Sequence, residues 1–164
     1  ALIVASTGRD LTVMFPMIAQ VSEFEAARWL LDIELARAAQ RGEPVPATIR
    51  SGVMLEVPAL AMQFENLLPR IDFLSIGSND LVQFLFASDR GNPRMEGRYD
   101  TLSPAVLNLL KRIVEACDTR TVDLTVCGEM AGDPIAAMAR RSANICSPWA
   151  STPRRWPPGS RSAI

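Results

Sequence analysis

Polar side chains that could do chemistry follow three separate apolar segments of the chain. Glu56 follows the run GVML, Asn79 and Asp80 follow FLSIGS, and Cys127 follows LTV. Buried strands whose carboxyl ends carry reactive side chains are how a (β/α)8 barrel builds its active site. The repeated pattern therefore predicts a site at one end of a parallel sheet.

The two carboxylates in this set are candidates for a metal site. Glu56 and Asp80 each come just past an apolar strand, and the amide of Asn79 lies beside Asp80. One or two carboxylates, completed by substrate phosphate and water, suit Mg²⁺. Each acid alone is also typical of an ordinary loop, but the pair favours a magnesium site.

Arg90 and Cys127 offer two further kinds of chemistry. Arg90 lies in the loop sequence DRGN, where a guanidinium could grip a phosphate or a carboxylate bidentately, or simply pair with Asp89. Cys127 precedes a glycine turn at the predicted site edge, so its thiol could donate or accept a proton. Cys117, on an apolar helix face, is expected to be inert packing.

Composition narrows the class of protein. The 164 residues have 48% hydrophobic content and a formal net charge of −1, which gives no argument for nucleic acid or an anionic membrane as a partner. Histidine is absent, so no phosphohistidine or histidine base lies within these residues. Three cysteines without metal-ligand spacing favour a reducing cytoplasm. A whole (β/α)8 barrel needs ~250 residues, so only part of one is expected.

Strand and helix patterns alternate along the chain and predict an α/β fold with a parallel sheet. The apolar runs predict four buried strands: Leu11–Met17, Ser51–Val57, Ile71–Ser78 and Val122–Cys127. The helices between them are expected from a capping box at Ser22 and Glu25 up to Gly42, at 58–68, at 80–87, and from a cap at Ser103 onward.

The last 25 residues differ from the rest. Residues 141–164 contain four arginines, four prolines and no acidic residue, and they show no strand or helix period. We therefore divide the chain into a domain at 1–139 and an anomalous tail at 140–164. The tail is expected to be either a disordered basic end or sequence read out of frame, of which Arg, Pro, Ser and Trp are frequent products.

Over residues 1–139 these motifs resemble a known family. The runs VMFPMI, GVMLEVPA, IDFLSIGSNDLVQFLFASDRGNP, LSPAVLNLLKRIV and CGEMAGDP are similar to the phosphoenolpyruvate-binding barrel of phosphoenolpyruvate–protein phosphotransferase, enzyme I of the bacterial phosphotransferase system. The segment QFLFASDRGNPR resembles the nitrogen-regulatory paralogue more closely than the sugar-transport enzyme. Pyruvate phosphate dikinase and phosphoenolpyruvate synthase share shorter versions of the motifs.

The resemblance implies a role for each candidate side chain. Glu56 and Asp80 would be Mg²⁺ ligands, and Asn79 and Arg90 would hold the phosphate of phosphoenolpyruvate. Cys127 would protonate the enolate carbon to give pyruvate. The chain would supply about strands four to seven of a partial (β/α)8 TIM barrel.

The resemblance also implies partners that this sequence does not contain. The phosphoryl group would pass to a histidine of a missing N-terminal domain, then to a phosphocarrier protein, and the barrel would form a homodimer. A family arginine that would align near Val4 is absent. The isolated chain is therefore expected to be inactive. The alternatives are a dikinase or synthase fragment, or a non-catalytic truncated copy that serves only in dimerisation.

Overall fold

The chain is an α/β protein built on one parallel sheet. The computed structural model describes residues 2–89, 91–95 and 100–132. Within these residues the strands are β1 (Asp10–Phe15), β2 (Thr48–Leu55), β3 (Phe73–Gly77) and β4 (Asp123–Cys127). They pair in chain order, β1-β2-β3-β4, and every pairing is parallel. The prediction of a parallel α/β sheet is confirmed.

Helices connect the strands, as parallel pairing requires. The described helices are α1 (Leu2–Ala5), α2 (Val21–Gln40), α3 (Pro58–Ala61), α4 (Phe64–Leu67), α5 (Ser78–Leu85), α6 (Pro104–Arg120) and α7 (Glu129–Gly132), with 3₁₀ turns at Leu68–Arg70 and Pro93–Met95. None of the helices in this part of the chain combines the length and apolarity that crossing a membrane needs.

The two faces of the sheet have different environments. Val53, Leu55, Leu74 and Ile76 point to the helix side and are at most 1% exposed, within a core shared with α2 and α6. Residues of the opposite parity share the other face, and several of them are exposed or half-buried: Thr12, Met14, Arg50, Phe73, Thr125 and Cys127. Among the described residues, the helices therefore pack on one face only.

The first strand is not fully buried, contrary to the prediction for Leu11–Met17. It spans Asp10–Phe15 and alternates between exposed and half-buried residues, with Met14 39% exposed. The reason is its place at the edge of the described sheet, where one face has no covering layer. Met17 lies beyond the strand with a positive φ of 56°.

The predicted start of the long helix was two residues late. Helix α2 begins at Val21, and Glu23, rather than Glu25, reaches back to accept hydrogen bonds from the backbone N–H groups of Ala19 (2.8 Å) and Gln20 (3.1 Å). These donors would otherwise be unpaired at a helix start. The predicted end was correct, since Gly42 follows the helix with a φ of 68°.

The region predicted as one helix over 58–68 is interrupted. Helices α3 and α4 are single turns separated at Met62 and Gln63. The Gln63 side chain donates to the carbonyl of Ala19 at 3.0 Å and accepts from the N–H of Val21 at 3.2 Å. A side chain tied to the start of α2 in this way fixes the break.

Helix α6 agrees with its predicted pattern. Its buried residues are Val106, Leu110, Ile113, Val114 and Cys117, all on the predicted stripe. Ser103 takes the cap position, but its hydroxyl forms no capping hydrogen bond among the described residues. Proline at the first helical position, which needs no N–H partner, starts the helix instead.

Candidate functional site

The carboxyl ends of β2, β3 and β4 meet at one edge of the sheet. Glu56 directly follows β2, and Asn79 and Asp80 lie in the first turn of α5, directly after β3. Cys127 is the last residue of β4 and pairs in register with Gly77. The sheet therefore places these four candidate side chains at the ends of three neighbouring strands.

Glu56 is a buried carboxylate, only 7% exposed. Its Oε2 accepts a hydrogen bond of 2.7 Å from the backbone N–H of Met17. Its stem lies against Gly77, where an added Cβ would come within 2.6 Å of the Glu56 Cγ. No arginine or lysine of the described residues pairs with it. A buried anion without a basic partner is costly unless a cation or further donors compensate it.

Asp80 is half-buried in the first turn of α5, and its carboxylate forms no hydrogen bond or ion pair with another described residue. The described residues contain no cluster of three or more His, Cys, Asp or Glu side chains able to hold a metal. Two carboxylates on neighbouring strand ends, with other oxygens supplied from outside the protein, fit Mg²⁺ and do not fit a dedicated all-protein cage.

Asn79 binds the turn that follows β4. Its Oδ1 accepts a hydrogen bond of 3.0 Å from the backbone N–H of Glu129. Beside it, the hydroxyl of Ser78 donates to the carbonyl of Cys127 at 2.7 Å. Because the Asn79 oxygen is engaged, its NH₂ group is the part of the amide left to serve as donor to a ligand.

The Cys127 thiol is half-buried and has two polar neighbours on β3. Its Sγ lies 3.3 Å from the carbonyl oxygen of Ile76, to which the thiol donates, and 3.8 Å from the Ser75 hydroxyl, which donates to the sulfur. Cys117 differs: it is 1% exposed, and burial raises the pKa of its thiol to about 12. Its predicted role as inert packing is confirmed by this burial.

Two predictions concern parts of the chain outside the described residues. Arg90 is one, so its grip on a phosphate stays a prediction. The tail at 140–164 is the other.

Sequence reasoning missed the small residues that shape the site. Gly77 makes room for Glu56, and Ser75 and Ser78 contact Cys127 through its sulfur and its carbonyl. The glycine turn at Gly128 was predicted, and its φ of 90° lets the turn after β4 approach Ser78. The runs SIGS and CGE were the available signal, since small residues at strand ends indicate close approach.

A known protein family matches most of this chain. The family described as PEP-utilising enzyme, PEP-binding domain, matches residues 1–145. The chain belongs to this family.

Three curated relatives of this PEP-binding domain carry the same name. Proteins named phosphoenolpyruvate-protein phosphotransferase from Lactococcus lactis subsp. lactis (strain IL1403), Bacillus subtilis (strain 168) and Listeria monocytogenes are 40%, 41% and 41% identical over 136 residues. The matches cover 83% of this chain and 24% of each relative. The chain thus spans about a quarter of the length of these relatives.

Proposed function

We propose that this chain is the phosphoenolpyruvate-binding part of a phosphoenolpyruvate–protein phosphotransferase. Such an enzyme moves the phosphoryl group of phosphoenolpyruvate to a protein histidine, then to a phosphocarrier protein, and releases pyruvate. The relatives' names support the reaction and favour it over that of a dikinase or synthase. The observation that carries it is the grouping of Glu56, Asp80 and Cys127 at the carboxyl ends of three neighbouring strands.

The proposed function includes a metal site formed by two carboxylates. Glu56 and Asp80 would hold Mg²⁺, whose charge would offset that of the substrate's phosphate and carboxylate as the phosphoryl group leaves. Glu56 is oriented by the Met17 N–H and by the space at Gly77. Its burial without a basic partner among the described residues supports a cation at this position.

Substrate capture would use donors for anionic oxygens. The NH₂ group of Asn79, which has no partner among the described residues, is one such donor, because its Oδ1 is bound to Glu129. The guanidinium of Arg90 would add bidentate contacts to the phosphate. Together they would align the phosphoryl group for in-line transfer to the histidine.

Cys127 would complete the reaction. When the bond between phosphorus and the bridging oxygen breaks, its electrons stay on that oxygen and give the enolate of pyruvate. The enolate's methylene carbon then takes the proton of the Cys127 thiol, and the thiolate regains a proton from solvent. The contacts with Ile76 and Ser75 hold the sulfur at the site edge before transfer.

The architecture fits a partial (β/α)8 barrel. Each described strand pairs with its chain neighbour and helices cover one face, whereas a doubly wound sheet reverses its strand order and carries helices on both faces. We assign the four strands to positions four to seven of eight. The uncovered face would then be the barrel interior.

The proposal also covers the activity of the isolated chain, its partner and its location in the cell. Its 164 residues contain no histidine to accept a phosphoryl group, so the chain alone should not turn over phosphoenolpyruvate. A second copy as partner is supported by the exposed side chains of Trp29 and Leu30 on α2, 63% and 57% exposed. We place the protein in the cytoplasm and in the nitrogen-regulatory branch, the latter on the wording QFLFASDRGNPR.

A segment exchange tests the function. The matched segment of the Lactococcus lactis relative is replaced by that of this chain, and pyruvate release from phosphoenolpyruvate is followed with an added phosphocarrier. We expect Mg²⁺-dependent turnover, with Glu56→Gln losing Mg²⁺-dependent phosphoenolpyruvate binding. Glu65→Gln, at an exposed glutamate of α4, is the matched control and should behave like the parent. A folded exchange enzyme that binds no phosphoenolpyruvate would point to the non-catalytic alternative.

A further inference from the structure

Two side chains from the first turn of α5 hold the turn that follows β4. The Ser78 hydroxyl donates to the Cys127 carbonyl at 2.7 Å, and the Glu129 N–H donates to Asn79 Oδ1 at 3.0 Å. These bonds join residues 49 and 50 positions apart in sequence. We call Ser78 and Asn79, with their two bonds, the turn clamp.

The backbone of the turn is shaped to fit the clamp. Gly128 lies between the two bonded residues with a φ of 90°, a conformation that side-chain-bearing residues rarely adopt. A Cβ on Gly128 would come within 2.5 Å of Ser78 Oγ and 2.8 Å of Asn79 Oδ1. The close approach is therefore a packing feature in its own right, independent of the two hydrogen bonds.

Because Ser78 is buried, its hydrogen bond constrains the turn more strongly than the bond of Asn79 does. Ser78 is 3% exposed, so its hydroxyl cannot exchange the Cys127 carbonyl for solvent without local opening. A buried polar group that loses its partner carries a desolvation cost. The bond is therefore maintained for as long as the end of β4 stays folded.

The clamp fixes the backbone on which the thiol is mounted. Cys127 is the last residue of β4, and the glycine after it places little restriction on the carbonyl direction. Without the Ser78 bond, the end of β4 could shift at Cys127 and carry its Cβ and Sγ away from Ile76 and Ser75. With it, the thiol keeps the 3.3 Å contact with the Ile76 carbonyl.

We infer that Ser78 is a positioning residue for Cys127, acting through the Cys127 carbonyl, while Asn79 fixes the far side of the same turn. In the setting of the proposed function, on which its catalytic meaning rests, the clamp would keep the thiol within reach of the enolate carbon. A proton donor must lie within hydrogen-bond distance of its target, and a small displacement slows transfer.

The test measures the two thiols of the described residues separately in the 164-residue chain. The protein is treated with iodoacetamide at one fixed pH, and peptide mapping gives the alkylation rates of Cys117 and Cys127. Cys117, 1% exposed in the core, reports opening of the whole fold, whereas half-buried Cys127 reports the turn. Ser78→Ala removes the hydroxyl, Ser78→Thr keeps it, and Ser22→Ala is a control at an exposed serine of α2.

We expect Ser78→Ala to raise the Cys127 rate about fivefold, the factor that loss of one hydrogen bond gives a local opening. The Cys117 rate should stay constant, and Ser78→Thr should restore the parent rate at Cys127. Asn79→Ala, at a less buried position, should also raise the alkylation rate of Cys127. This variant replaces Ser78→Ala in the test if Ser78→Ala folds poorly.

Three results would overturn the inference. Equal increases at Cys117 and Cys127 would show a general stability role, unchanged rates would show that the clamp does not hold the thiol, and failure of Ser78→Thr to restore the rate would show that space, not the hydroxyl, matters. The assay needs no phosphoenolpyruvate, metal or acceptor. A failure of the proposed function in the segment exchange would therefore leave these rates as they are, and the two failures can be told apart.

Discussion

Replacement of Gly77 by alanine should disturb Glu56 specifically. The added Cβ would lie 2.6 Å from Glu56 Cγ and 3.1 Å from the Cγ and Sδ of Met54, where ordinary contacts begin at 3.4 Å. The Glu56 stem must therefore move by about 0.8 Å, roughly the difference between these distances. Glu56 is 7% exposed, so the movement costs its hydrogen bond from Met17.

The size of the effect follows from two terms. Overpacking of a buried position costs ~1–3 kcal/mol, and loss of a hydrogen bond to a charged group costs ~1.5–3 kcal/mol. Because moving the stem relieves part of the overlap, we expect Gly77→Ala to lower the free energy of unfolding by ~2–4 kcal/mol in urea titrations. Affinity for Mg²⁺ and phosphoenolpyruvate in the segment-exchange enzyme should fall with it.

A double-mutant cycle isolates the Glu56 contribution. In a Glu56→Ala background the Cγ is gone, so Gly77→Ala should cost only ~1 kcal/mol, from Met54. The coupling between positions 56 and 77 should then be ~1–3 kcal/mol. Strictly additive effects would refute the reasoning, because they would mean that the alanine does not act through Glu56.

Further predictions concern the stability of the fold and its dependence on pH. Burial raises the pKa of Cys117 from its ordinary 9.0 to about 12, so the folded chain keeps a proton that the unfolded chain loses. The free energy of unfolding should therefore decline as the pH rises from about 9 to 12. Urea titrations at several pH values should show a decline steeper than that of Cys117→Ala by up to ~1.4 kcal/mol per pH unit. Leu74→Ala, at a position 0% exposed in the core, should cost ~2–5 kcal/mol, whereas Leu30→Ala, at 57% exposure, should change the stability of a single copy by less than ~0.5 kcal/mol. Arg50→Gln breaks a 2.6 Å ion pair with Asp123, but both side chains are 47% exposed, so its thermal unfolding should show a loss below ~1 kcal/mol.

The sequence supplied the order of elements and the edge at which the site lies. Apolar runs are read from residue types alone, and the carboxyl ends of parallel strands must meet at one edge. Glu56, Asp80 and Cys127 therefore lie where the sequence predicts them relative to the strands. The predicted strand bounds differ from the observed ones by at most three residues, and the end at Cys127 is exact. At the end of β3, Ser78 was predicted as strand but begins helix α5.

The details that orient the side chains could not be predicted. Met17 has a left-handed φ and donates its N–H to Glu56, and no feature of a methionine in the sequence indicates either. The cap at Glu23 replaced one expected at Glu25 because both spacings are compatible with a helix start. The turn clamp depends on contacts between residues about 50 positions apart, which periodicity does not reveal.

The most direct test of the central claim compares two quantities in the segment-exchange enzyme with Cys127→Ala. Phosphoenolpyruvate binding in the presence of Mg²⁺ and the rate of pyruvate formation are measured side by side. Enolate protonation follows substrate capture, so the account predicts nearly unchanged binding and pyruvate formation slowed by about 10²- to 10⁴-fold, the usual contribution of a positioned acid. Equal loss of binding and turnover, or no loss of either, would contradict the assignment of Cys127 as the proton donor of this site.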